Sequence, residues 1–131
     1  MSETTKTSDE KAAAKLERVY NLRFAEIYRL YLAKVERKGR TREDLDEVLM
    51  WLTGYSQEQL QQHANSDLTL RELCAQAPVL QQTVPTITGV ICGYRVENIE
   101  DPLMQQIRAM DKVVDELAKG KALAKIKRDL A

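Results

Sequence analysis

Between Asp101 and Gly120 the apolar residues Leu103, Ile107, Met110, Val114 and Leu117 recur at alternating steps of four and three, which stacks them in one stripe along a helix. Asp101 supplies an N-cap acceptor, Pro102 sits where a missing N–H costs nothing, and Gly120 can adopt the left-handed conformation that ends a helix. The same period runs through Phe24, Ile27, Tyr28, Tyr31 and Val35 up to Gly39, and through Leu45, Val48, Leu49 and Leu52 up to Gly54. An earlier helix is predicted from near Ser8 or Asp9 through AAAKLERVY, with a break near Asn21. Thr41 with Asp44 resembles a capping box, Ser56 with Gln59 opens a short helix around Leu60 and Ala64, and Thr69 with Glu72 starts another that Pro78 closes. A short helix from Ala122 follows Gly120.

Two stretches resist this period. Gln81 to Pro85 reads as a loop, and residues 86–99, TITGVICGYRVENI, are ambiguous between helix and strand. Their β-branched residues suggest a strand, whereas Ile87, Val90, Ile91 and Tyr94 keep helical spacing and bring Gly89 and Gly93 to one side. A lone strand has no partner in the chain unless a second copy provides one, so a helix is the expectation. Residues 1–10 are polar and read as a disordered leader. The predicted architecture is all-α: a compact single-domain orthogonal bundle of five to seven helices over 11–131, with the 102–119 helix central.

Composition supports this class. Five glycines and three prolines in 131 residues are too few for the many turns of an all-β fold, and 31% charged residues suit solvated helix faces. The formal charge is zero but unevenly spread: Arg18 to Arg42 carries eight basic and two acidic residues, whereas 43–101 carries ten acidic and two basic. Such blocks can steer an anionic partner or belong to a dipolar surface. MSETTKTSDEK lacks the apolar region of a secretory signal, and no run approaches the about 18 apolar residues of a membrane span. Cys74 and Cys92 stand outside any close-spaced ligand motif, which predicts reduced thiols in a cytoplasmic protein, with no metal and no cofactor.

Candidate chemistry is sparse, and no catalytic residue is assigned. The Gly-containing turns after Arg37 and Thr53 invite a helix-turn-helix reading in which the basic 18–42 segment meets nucleic acid. Against it, Thr53 to Asp67 holds no Lys or Arg to neutralise phosphate. Arg40 and Arg42 flank Thr41 at a helix start, where an anion could bind, although Asp44 and its acidic neighbours offer them intrahelical partners. His63 has no ligand partner at i+4, and catalysis by Cys74 or Cys92 with His63 as base has no support beyond residue type. For a small anionic ligand, Arg95 and Arg108 beside Trp51 and Tyr55 combine stacking with hydrogen bonding.

The runs YRLYLAKVERKGRTREDLDEVLMWLTGYSQEQL, LTLRELCAQAP and ITGVICGYRVENIEDPLMQQIRAMDKVVDELAKGKALAKI, and within them the blocks WLTGY, CGYRVE, IEDPLM and DELAKGK, resemble a bacterial family of small proteins, the domain-of-unknown-function 2200 family. The resemblance spans residues 22 to about 128. It implies a compact cytoplasmic prokaryotic protein and brings no catalytic residue to transfer. The segment before Tyr20 is longer than is usual in the family, and Gln81 and Gln82 stand where an Asn-Pro pair is common.

The function expected from these readings is a non-enzymatic module that acts by protein association, including a homodimer through Leu103, Ile107, Met110, Val114 and Leu117. Met104 and Val113 broaden that stripe, which favours an intramolecular core instead. A nucleic-acid-binding regulator is the first alternative. An enzyme or anionic-ligand binder near Arg95 and Arg108 is the second.

Overall fold

A computed structural model describes residues 7–128. The chain is mostly helical there: α1 (Ser8–Tyr20), α2 (Phe24–Arg37), α3 (Arg42–Thr53), α4 (Gln57–Ala64), α5 (Leu70–Gln76), α6 (Leu80–Thr83), α7 (Pro102–Ala118) and α8 (Leu123–Ile126). The last turn before α7 is preceded by a two-stranded antiparallel hairpin, β1 (Val90–Ile91) and β2 (Tyr94–Arg95). Of the predicted leader, residues 1–6 lie outside the described residues, and Ser8 to Glu10 form the first turn of α1.

The helix boundaries follow the local chemistry. Thr7, Thr41, Ser56 and Thr69 each accept from the backbone N–H three residues on, and Glu10, Asp44, Gln59 and Glu72 reach back to the cap N–H. Four reciprocal boxes thus satisfy donors that a helix start would otherwise leave open. Asp101 caps α7 by accepting from Met104 N. Gly54 ends α3 at φ +86°, a conformation that costs other residues dearly.

The central rod is α7, packed against α1, α2, α3, α5, α8 and the hairpin. Its stripe is consumed inside the chain: Ile107, Met110, Val114 and Leu117 are at most 3% exposed, and Leu103 packs on the core. Of the five residues predicted as a homodimer seam, Ile107, Met110, Val114 and Leu117 thus share one hydrophobic core with Phe24, Leu45, Leu49 and Leu52. The C-terminal turn is fastened by Glu116, which accepts from Arg128 Nη1 at 2.5 Å and Nη2 at 3.1 Å.

The structure corrects two expectations. Gln81–Pro85 is not a loop: α6 runs from Leu80 to Thr83 and a 3₁₀ turn from Val84 to Thr86 follows. Nor is 86–99 a helix. Val90 pairs with Arg95 and Ile91 with Tyr94 across a two-residue turn, so the strand's partner comes from the same segment. Cys92 and Gly93 both have positive φ, 52° and 80°, as a primed hairpin turn demands. A further 3₁₀ turn, Val96–Asn98, links the hairpin to α7.

Candidate functional site

A groove of about 550 Å³ opens between α1, the hairpin and the N-terminal half of α7. Ala12, Lys15, Leu16 and Val19 recur on one face of α1 and form one wall. Tyr94 and Arg95 of β2, then Asn98 to Asp101, form the other, and Met104 and Arg108 of α7 lie along the floor. The lining is mainly apolar, with Lys15, Arg95 and Arg108 set against Glu100 and Asp101.

The two arginines differ. Arg108 is half-buried, and its Nη1 donates to Asp111 Oδ2 at 2.8 Å and lies 3.9 Å from Cys92 Sγ. Burial opposes its charge, but the hydrogen bond to Asp111 overcomes that and holds the guanidinium above its ordinary value. Asp111 in turn accepts from Tyr31, so the Arg108 head is braced from behind by a second residue. Arg95 is exposed and donates to Glu97 at 3.2 Å. Glu97 also accepts from Gly89 N at 3.0 Å, and that backbone bond is the main cause holding its carboxyl below the usual range.

Of the four residues predicted for a ligand site, Arg95 and Arg108 line this groove together, whereas Trp51 and Tyr55 do not. Trp51, on α3, is half-buried against the core. Tyr55 is buried, donates to Leu73 O at 2.6 Å and meets His63 edge-on at 4.6 Å between ring centroids. The aromatic of the groove is Tyr94 instead, and Leu16, Val19 and Met104 complete the apolar lining. Helical spacing of Ala12, Leu16 and Val19 was the sequence signal for that wall; nothing local told which element it faces.

Arg40 and Arg42 do not form a vacant anion site. Arg40 bonds Asp44 and the Lys121 carbonyl, and Arg42 donates to Tyr28 Oη at 3.2 Å and Gln61 Oε1 at 2.9 Å. Asp44 already accepts from the Thr41 N–H, which is the chief reason its carboxyl sits below the usual range. Elsewhere in the basic 18–42 segment Arg23 pairs with Asp67 and Lys34 with Asp115. Cys74 is buried and its thiol pushed up to about 12, the wrong direction for a nucleophile. His63 is held below its ordinary value by burial. Among the described residues no group of three or more His, Cys, Asp or Glu is placed to hold a metal ion, and no helix is long and apolar enough to cross a membrane.

A solved structure entitled "Crystal structure of uncharacterized protein SP1917" is similar at 43% identity, covering 86% of this chain and 93% of that one with a TM-score of 0.80. No curated protein matches. The sequence model of a bacterial family described as "Uncharacterized protein conserved in bacteria (DUF2200)" matches residues 18–128. With nearly the whole described fold inside that match, the chain belongs to the bacterial domain-of-unknown-function 2200 family.

Proposed function

We propose that the protein is a non-enzymatic binding module of the cytoplasm, and that the groove takes a small ligand with an apolar body and an anionic group. The observation that carries this is that Arg95 and Arg108, each paired with one carboxylate, line the same concave, mainly apolar groove as Tyr94 and Met104. Its volume falls within the roughly 300–1,000 Å³ of small-molecule sites, where a few placed polar groups orient an apolar ligand. The unpaired thiols of Cys74 and Cys92, the latter exposed, suit a reducing compartment. Calorimetric titration of the full chain with decanoate tests the reading. The expected result is saturable one-to-one binding, weakened about tenfold by Arg108→Ala, which corresponds to about 1.4 kcal/mol. No saturable heat, or an affinity in both Arg95→Ala and Arg108→Ala unchanged from that of the parent chain, contradicts it.

Association with a second copy is a second reading. Tyr94 is 59% exposed at the groove, and an exposed aromatic of this kind is a common interface anchor. Solution mass across a concentration series decides: a dimer lost on Tyr94→Lys supports it, and a monomer throughout removes it.

A further inference from the structure

The family match begins at residue 18, so Ala12, Lys15 and Leu16 of the groove wall come from chain that precedes the shared scaffold. α1 is tied down at one end. From Ser8 to Ala13 every side chain is exposed, Leu16 and Val19 are half-buried, and Tyr20, the last residue, is buried. At that end the Tyr20 hydroxyl donates to Asp101, the Arg71 guanidinium lies 5.1 Å over the Tyr20 ring, and Arg71 Nη2 donates to Glu17 at 2.6 Å. Beyond Asn21 the chain is pinned: Leu70 N donates to Leu22 O and Phe24 N to Leu68 O, each at 2.8 Å. Within α1 the Thr7–Glu10 capping box and the run Ala12 to Ala14 favour the helix locally, so it keeps its shape with few tertiary contacts.

We propose that α1 is a hinged strap over the groove: it lifts about Asn21, releasing Tyr20 from Asp101 and Glu17 from Arg71, to admit the ligand, and Leu16 and Val19 close on it. This rests on the reading that the groove binds. Asp101 links the strap to the floor, because the oxygen that accepts from Tyr20 also caps α7 at Met104. Weakening that latch therefore raises the open population without touching Arg95 or Arg108.

Hydrogen exchange by mass spectrometry on the full chain, with 1-anilinonaphthalene-8-sulfonate as the apolar anionic probe, tests the motion. Amides of 12–17 are expected to exchange at least about 100-fold faster than those of 107–117, as a locally opening segment should. Tyr20→Phe and, independently, Glu17→Gln are expected to speed 12–17 further while leaving 107–117 unchanged, which also reports that each variant is folded. The probe is expected to slow 12–17. Equal protection of 12–17 and 107–117, or no response to either variant, overturns the strap. A response to both variants with no probe binding supports the hinge and removes the groove reading instead.

Discussion

Tyr31 on α2 donates its hydroxyl to Asp111 on α7, and the two stand 80 positions apart. The same offset recurs along both segments: Tyr20 with Asp101 and Lys34 with Asp115 at 81, Arg40 with the Lys121 carbonyl at 81, Lys127 with Glu47 at 80. Two stretches of chain therefore run parallel in register, and α2 and α7 end side by side. Parallel helices place two negative dipole ends together, and Lys34, Lys119 and Arg40 supply positive charge there. At the opposite end the same register brings Tyr20 to Asp101 and so fixes α1 beside the groove.

Removing one hydroxyl from this polar framework tests its worth. Tyr28 donates to buried Asp46 at 2.5 Å, and Gln57 Nε2 supplies a second bond at 3.1 Å. Tyr28→Phe leaves a buried carboxylate short of one donor and should lower stability by about 1–3 kcal/mol in urea unfolding. An unchanged midpoint would show that water replaces the hydroxyl at no cost.

Alkaline conditions should act on the same groups. Burial and the bond to Asp46 push Tyr28 up to about 12, burial and Asp101 do the same for Tyr20, and burial, with Cys74 beside it, raises Tyr55 to about 12. The folded state then keeps protons that an unfolded tyrosine gives up near about 10, so stability is full below that pH and falls as pH rises towards about 12. The urea midpoint should drop steeply over this window. Tyr28→Phe should make the drop shallower.

Asp115 gives the opposite dependence. Burial works against its charge, but Lys119 and Lys34 overcome it and hold the carboxyl below the usual range. Its contribution is present above the unfolded value of about 3.9 and is lost as pH falls through the lower folded value. Acid titration of Lys34→Ala should begin from lower stability and lose less of it on the way down.

Gly54 is fixed by both conformation and space. A Cβ there would meet Val79 Cγ2 at 2.9 Å and Pro78 Cβ at 3.2 Å, at φ +86°. Gly54→Ala should destabilise by about 2 kcal/mol or more, since left-handed backbone and overpacking add. Equal melting temperatures would mean the α5–α6 connection gives way freely.

Much of the helical layout was legible because its signals are local. Thr41 with Asp44, Ser56 with Gln59 and Thr69 with Glu72 each lie within one turn, and each forms the box its spacing announces. The hairpin was not legible, because strands of two residues carry no period. Ile87 and Ile91 are buried while Val90 and Tyr94 are exposed, so their helical spacing was coincidental. Cys92 also hides a turn that Asn or Asp would have advertised. Arg95 and Arg108 share the groove whereas Trp51 and Tyr55 lie outside it, because residue type says nothing of distance. The α1 wall depends on pairing across 81 positions, which no local pattern encodes.

The central claim is that the groove is the binding site, and amide chemical-shift mapping of the full chain during titration with decanoate tests it most directly. The account predicts saturable shifts gathered at Leu16, Val19, Tyr94, Arg95, Met104 and Arg108, with little change at Trp51 and Tyr55. Shifts gathered on another face, or none up to the solubility limit of the probe, would contradict it.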